Sequence, residues 1–456
     1  MSELLARKAD VVRAIGRGRQ LARRQRNATR DEFDVLRGQR LRRLVAHAAA
    51  NTPYYAKVLS GVDVDSPGLL QRLPVLDKET LVGHLPDLLS DSRLRTLDLE
   101  ARLNDLAGDE LLLGEYRLLA SGGTSGKRGI YVYDRAAWRE VMSGLACGAD
   151  WLGFGPHIPR QRLATIWAAG PAHMTARLAA SFRTPAFRRL QLTALAPIPE
   201  LVEQLNRFQP DWLSAYPTIA ALLADEQLSD RLRIRPRVVM VTSEQCTAAM
   251  RSRIEAAWGT APYDAYASTE CGGMAIECHE HAGLHLMEEQ VILEVVDEDG
   301  APVPDGEPGA RVLVTNLFNF AQPIIRFALT DIVSIDPKPC PCGRASRRIT
   351  AVEGRSDDIM RLPGQEGRDV PVHPNHFAEA IESVGAVRAY QVVQIENGVD
   401  IAVSASADVA GEVTRRVEAS LATLGVTDTS INVRMVPTIE RPASASSKFK
   451  LVSARA

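Results

Sequence analysis

Apolar positions in this chain follow two different periods. Through the first fifty residues they recur at helical spacing among Arg7, Arg13, Arg17, Arg19, Arg23, Arg24, Arg26 and Arg30. That pattern predicts helices that lie on a main domain and present a solvated basic face. The same face could instead dock an acidic carrier protein or a membrane surface. Helical periodicity returns over Trp138 to Leu145, whereas Ala164 to Ala168 and Val238 to Val241 are short apolar runs bounded by polar residues or glycine. Such runs read as buried strands. The alternation predicts an α/β fold, a large N-terminal domain of mixed, largely parallel sheets. Ligands in such folds gather at the carboxyl ends of the strands.

From Val291 the period shortens. Val291 to Asp297 and Ala310 to Thr315 flank Asp299-Gly300 and Asp305-Gly306, which predicts antiparallel strands joined by tight turns, a small barrel-like piece. A boundary falls near Arg355 to Asp358. Beyond it, strands over 387–396, 400–405 and 430–437 and a helix over 410–424 predict a small α+β unit. The expected division is therefore a core domain over 1–355 and a C-terminal lid over 356–456.

Composition narrows the function. The chain has 456 residues, 45% of them hydrophobic and 24% charged, with a formal net charge of -2. These are the proportions of a soluble globular protein. There is no broad basic field to attract nucleic acid and no apolar run long enough for a membrane span. Glu3 and Asp10 near the start, without an apolar stretch, do not read as a secretory signal, so a cytoplasmic location is expected. Six cysteines then read as thiols or metal ligands rather than disulfides.

The densest chemistry lies in Leu119-Ala120-Ser121-Gly122-Gly123-Thr124-Ser125-Gly126-Lys127-Arg128-Gly129. Glycines let a turn aim its N–H groups at a ligand, and hydroxyls and an ammonium add donors and charge, so the stretch reads as a phosphate cradle. It is not a P-loop. Gly122 and Gly126 are one residue too close, and Arg128 follows Lys127 where a magnesium-binding hydroxyl is needed.

Further motifs follow in order: Asp264-Ala265-Tyr266-Ala267-Ser268-Thr269-Glu270, Val314-Thr315-Asn316-Leu317, Pro323 to Asp331, Glu353-Gly354-Arg355-Ser356-Asp357-Asp358 and Ser446-Ser447-Lys448-Phe449-Lys450. Thr52-Pro53-Tyr54-Tyr55, Gln209 to Pro217 and Thr242-Ser243-Glu244 add to the set. Together they resemble the adenylate-forming superfamily of acyl-CoA synthetases and adenylation domains, and within it the phenylacetate–CoA ligase branch.

The resemblance implies a carboxylic acid, aromatic by analogy, activated by ATP to an acyl-adenylate and passed to coenzyme A. It implies that Ser121, Gly122, Thr124, Ser125 and Lys127 hold phosphates, that Glu270 binds Mg²⁺ and that Thr269 touches the α-phosphate. Tyr266 would flank adenine, with Ser243, Glu244 and Ser268 nearby. Asp331 would take the ribose hydroxyls and Arg355 the ribose or a phosphate, Asp357 would be the hinge, and Lys448 would reach the reacting centre. The glycine that usually precedes that lysine is Ser447 here, and Lys450 would point to the same side in an extended segment. Trp167, His173 and Tyr216 fall where this branch places its acid pocket.

Cys278, His279, His281, His285, Cys340 and Cys342 supply thiolates and imidazoles, a donor set suited to Zn²⁺. Some members of the branch carry a structural zinc in this region. The expected ligands are Cys278, His285, Cys340 and Cys342, with His281 as the alternative imidazole. Reduced cysteines beside surface histidines are the plainer reading. Transfer to a carrier-protein thiol or an amine stays open beside CoA, as does a non-catalytic binding protein. A homodimer is the assembly the resemblance suggests.

Overall fold

The computed structural model describes residues 3–121, 128–153, 160–167, 170–182, 187–364, 368–427, 429–440 and 449–454. A nine-stranded mixed sheet forms its centre. Arg188–Thr193, Arg162–Trp167, Trp212–Ala215, Val238–Thr242 and Tyr263–Ser268 run parallel in that spatial order. Parallel neighbours need crossovers. Helices Ile198–Phe208, Pro217–Leu228 and Ala248–Trp258 supply them, burying Leu201, Ile219, Leu223 and Ile254 against Ile166, Leu213 and Val239.

After Ser268 the chain turns back on itself. Gly272 holds φ at 72° and lies against Val141, a conformation and closeness that favour glycine. Gly272–Glu277, Leu284–Leu286, Arg348–Arg355 and Asp331–Ile335 then extend the sheet antiparallel. The reversal leaves the 268–272 turn at the carboxyl end of the last parallel strand, where open α/β sheets bind ligands. A separate antiparallel sheet is built from Val291–Val296, Arg311–Asn316 and Phe327–Leu329.

Helices Glu3–Asn27 and Arg30–Asn51 cover the core from outside. Gly18 lets the first approach helix Arg135–Trp151 closely, since a Cβ there would stand 2.6 Å from the Ala146 Cβ. Their basic residues are not simply solvated. Arg17, Arg24 and Arg40 converge on Glu289, and Arg30 and Arg37 on Glu288. Both carboxylates are 1% exposed, and a charge so buried persists only when paired.

A second hydrophobic cluster runs from Met360 to Val452. It joins the hairpin Met360–Pro363/Asp369–Val372 to a four-stranded sheet in the order Ser430–Met435, Gly398–Ala405, Val387–Ile395, Val452–Ser453, backed by helices Pro374–Glu382 and Ala410–Thr423. Polar contacts tie it to the larger unit. Thr247 donates to Glu382 at 2.9 Å, Gln245 to Asn375 at 2.8 Å, and Arg253 to the Arg388 carbonyl at 2.9 Å. Among the described residues, no helix is long and apolar enough to cross a membrane.

Candidate active site

The phosphate-cradle sequence sits at the tip of a hairpin. Arg117–Ala120 pairs antiparallel with Ile130–Tyr133, which brings Ser121 and Gly129 face to face. The Ser121 N–H donates to the Gly129 carbonyl at 3.0 Å, and the Gly129 N–H to Ser121 Oγ at 3.2 Å. Gly122, Thr124, Ser125 and Lys127 lie outside the described residues. Gly129 has no room for a side chain, because a Cβ would come within 2.7 Å of the Tyr131 hydroxyl. Burial first, and then the negative charge of Glu270, push the Tyr131 phenol well above its ordinary range. Ser121, Tyr131 and Glu270 therefore surround one small volume at the mouth of the hairpin.

The Tyr266–Glu270 segment is held mainly through its backbone. Tyr133 donates to the Thr269 carbonyl at 2.7 Å and Asn316 Nδ2 to the Glu270 carbonyl at 2.9 Å. Ser268 Oγ accepts from the Cys271 N–H at 3.2 Å and so fixes the turn. Glu270 is 6% exposed. These contacts leave its carboxylate as the acidic group facing the hairpin mouth.

A third cluster lies beside the carboxyl end of the same strand, around Tyr266. Asp331 and Arg355 are opposite one another in register. Asp331 accepts from the Tyr266 hydroxyl at 2.8 Å and from Arg355 Nε at 3.1 Å. Burial, then the Asp331 charge, raise the Tyr266 phenol well above its usual range. Burial works against the Arg355 cation, yet Asp331 outweighs it and the guanidinium is held more firmly than usual. A neutral phenol, a carboxylate and a permanent cation thus form a set that can grip a diol beside an anion.

Arg355 ends its strand, and a short turn Ser356–Asp358 leads into the second unit. Asp357 is exposed, while Asp358 is buried and pairs with Lys450 Nζ at 2.6 Å. Lys448 lies outside the described residues. Ser243 adopts φ 76°, a strained setting for serine of the kind that gathers at functional sites. Next to it, Glu244 accepts from Thr218 Oγ1 at 2.5 Å and from the Phe449 N–H at 3.2 Å. The segment after Lys448 is thereby docked on the carboxyl-end rim. In the region expected to hold the acid, Trp167 and Tyr216 meet edge to face, 5.1 Å between centroids, and His173 heads helix Met174–Ser181.

Cys278, His285, Cys340 and Cys342 converge with all four donor atoms within 4.8 Å of one another. Cys278 Sγ lies 3.8 Å from Cys340 Sγ, and Cys342 Sγ lies 3.3 Å from His285 Nε2. With metal–sulfur bonds near 2.3 Å, two thiolates of a tetrahedron stand about 3.8 Å apart, so the spacing fits Zn²⁺ and excludes a disulfide. His285 Nδ1 faces Ser346 Oγ at 2.9 Å, which orients the ring. Burial and then the charges of Arg344 and Arg348 lower the His285 pKa to about 4, leaving the neutral imidazole a ligand requires. His281 is drawn away, with Nδ1 3.1 Å from Glu277 and its ring against Tyr263. Gly283 makes the return possible: at φ 108° its Cβ would lie 2.6 Å from the Ile349 carbonyl.

Sequence reasoning missed Tyr131, Tyr133, Thr218 and Ser346, ordinary residues on strands, helices or loops with no local signature, and gave Asp358 no role although it ends a motif.

Comparison with known proteins agrees with this geometry. Residues 153–315 match the family model described as AMP-binding enzyme. Phenylacetate-coenzyme A ligase of Thermus thermophilus is 26% identical over 386 residues, 81% of this chain and 80% of the relative. The Escherichia coli phenylacetate-coenzyme A ligase is 28% identical over 373 residues, 78% and 77% of the two chains. Among solved structures, 2-hydroxyisobutyryl-CoA ligase in the postadenylation state, with R3-HIB-AMP, shares the fold with a TM-score of 0.75, 19% identity and 95% and 91% coverage. The same ligase in the thioesterification state superposes with a TM-score of 0.62. Fold, site and similarity together point to the class of adenylate-forming enzymes. Within that class the chain is similar to the phenylacetate–coenzyme A ligases of two bacteria, at 26% and 28% identity.

Proposed function

We propose that this protein joins a carboxylic acid of aryl or arylacetic type to coenzyme A in two half-reactions. An oxygen of the acid attacks the α-phosphorus of ATP and pyrophosphate leaves. The CoA sulfur then attacks the acyl carbon of the adenylate, and AMP leaves with the electron pair of the broken C–O bond. The observation that carries this reading is the Asp331 carboxylate, shared by Tyr266 and Arg355 at the carboxyl edge of the sheet, one turn away from Glu270 and the phosphate hairpin.

In this reading Asp331 accepts from the ribose hydroxyls and Arg355 neutralises a neighbouring oxygen. Ser121, Gly122, Thr124, Ser125 and Lys127 hold the leaving pyrophosphate, Thr269 the α-phosphate, and Glu270 the Mg²⁺ that neutralises phosphate charge when bound. Lys448 approaches the developing charge from the C-terminal unit. Trp167 and Tyr216 form an aromatic wall for the acid, and the names of the relatives make phenylacetate the first acid to try. Cys278, His285, Cys340 and Cys342 hold a structural Zn²⁺, a closed four-ligand set that pins the loop after Glu270 to the segment after Asp331. Arg17, Arg24, Arg30, Arg37 and Arg40 are engaged with Glu288 and Glu289, which favours CoA over an acidic carrier protein as the acceptor.

The test is pyrophosphate release from ATP across a panel of aromatic carboxylates, with and without CoA. Release with one acid, and an acyl-CoA product only when CoA is supplied, is expected. Release with no CoA product would redirect the second half-reaction to another thiol or an amine. No release with any acid would end the proposal.

A further inference from the structure

The phosphate hairpin is two-stranded, so Ile130–Tyr133 presents an open backbone edge. That edge is buried: Ile130 is 6% exposed and Val132 0%. Buried N–H and C=O groups need partners, and here two side-chain amides supply them in place of a third strand, while a third from the same loop reaches Glu270. Gln322 Oε1 accepts from the Val132 N–H at 2.7 Å, and Gln322 Nε2 donates to the Ile130 carbonyl at 3.2 Å. Asn319 Nδ2 donates to the Val132 carbonyl at 2.9 Å. Asn316 Nδ2 donates to the Glu270 carbonyl at 2.9 Å.

The three amides also bind one another's loop. Asn316 Oδ1 accepts from the N–H groups of Phe318 and Asn319 at 3.1 and 3.0 Å, and Asn319 Oδ1 accepts from Ala321 at 3.2 Å. Asn316, Asn319 and Gln322 are at most 1% exposed. One short loop therefore grips the backbone of the phosphate hairpin at one end and that of the proposed magnesium-binding residue at the other. Main-chain groups alone could stabilise the loop; its side chains, together with the Tyr133 hydroxyl on the Thr269 carbonyl, bridge the two parts of the site.

We propose that Asn316, Asn319 and Gln322 are positioning residues that set the distance between the phosphate hairpin and Glu270, and so tune Mg·ATP binding and the adenylation half-reaction. The inference rests on the reading given under Proposed function. None of the three touches substrate; each acts through backbone it holds. A half-reaction that uses no pyrophosphate site, thioester formation from preformed acyl-adenylate, is insensitive to them.

The test compares the full-length wild type with Asn316→Asp and Gln322→Glu, each nearly isosteric and each lacking the amide donor. Three quantities are read: the Mg²⁺ dependence of pyrophosphate release, thioester formation from synthetic acyl-adenylate and CoA, and Mg·ATP affinity by calorimetry. We expect adenylation to fall about tenfold or more, the half-saturating Mg²⁺ concentration to rise, and the thioester step to stay within about twofold, as lost placement of preorganised groups dictates. Parallel loss of both half-reactions, or an unchanged Mg²⁺ dependence in folded variants, would overturn the proposal. Should the added acid prevent folding, the uncharged Gln322→Met carries the same comparison. A wild type that binds Mg·ATP but releases no pyrophosphate would defeat the functional reading alone, since the calorimetric shift still decides this one.

Discussion

At the scale of single residues, Asp331 carries more than its place in a motif. It accepts from a buried phenol and a guanidinium at once. Asp331→Ala should raise KM for ATP by about tenfold or more, and the orphaned Tyr266 hydroxyl should cost about 1–3 kcal/mol of stability. Steady-state kinetics and urea melts check both; an unchanged KM would remove Asp331 from the nucleotide site. Asp264 offers a pH test. Burial, then the charge of Glu277, raise its carboxyl from 3.8 to about 7, with Arg251 and Cys246 the other groups near it. The unfolded chain ionises this acid near pH 4 while the folded chain resists until about pH 7, so stability from this group is lost as pH rises through that window. Asp264→Asn should therefore gain on the wild type between pH 5 and 8, by on the order of 2 kcal/mol. Equal pH slopes in the two proteins would refute the shift. Motif residues such as Tyr266, Asp331 and Arg355 were legible in the sequence because their types and order are specific. That one carboxylate binds the other two was not, because they lie 65 and 24 positions from it.

At the scale of elements, periodicity located the N-terminal helices but gave no partner for their arginines. Glu288 and Glu289 sit some 250 residues away, at separations of 251 and 272 for Arg37 and Arg17, and nothing local marks an acid as buried. Removing both carboxylates takes the buried partner from five guanidiniums, leaving Arg17 with Glu140 and Arg30 and Arg37 with Asp34, and breaking one buried pair costs about 3–5 kcal/mol. Glu288→Ala/Glu289→Ala should release the helices before the core unfolds, so that trypsin cuts first after Arg24, Arg26 or Arg30 while the remainder persists. Cleavage no faster than in wild type would show that packing alone holds them. The cysteine loop makes the opposite case: ligand types were readable, and the choice of His285 over His281 needed the strand Leu284–Leu286 that carries it into the sheet. Chelation should release about one zinc ion per chain and lower the melting temperature by several degrees, and Cys340→Ser should reproduce the loss. A chain purified without zinc that melts as the loaded protein does would make the cluster four reduced side chains.

At the scale of the whole molecule, the fold superposes on the postadenylation form of 2-hydroxyisobutyryl-CoA ligase with a TM-score of 0.75 and on its thioesterification form with 0.62. The sequence could indicate a break near Arg355 but not how the units meet, since docking rests on contacts such as Glu244 with Phe449, 205 residues apart. The ion pair of Asp358 and Lys450 spans the same joint, 92 residues apart in sequence and 2.6 Å in space. Lys450 lies two positions beyond the proposed catalytic Lys448, so it is either an anchor that seats the C-terminal segment or itself the reacting cation. The geometry favours the anchor, because its ammonium is already committed to Asp358. An anchor is removed equally well from either side. Asp358→Asn and Lys450→Met should therefore slow pyrophosphate release by a similar factor, about fivefold, consistent with a partly buried pair. Neither should slow thioester formation from supplied acyl-adenylate, as expected of a pair that serves adenylation alone. Measured side by side, a silent Asp358→Asn with an inactive Lys450→Met would transfer the chemistry to Lys450 and reduce Asp358 to the group that holds it between turnovers.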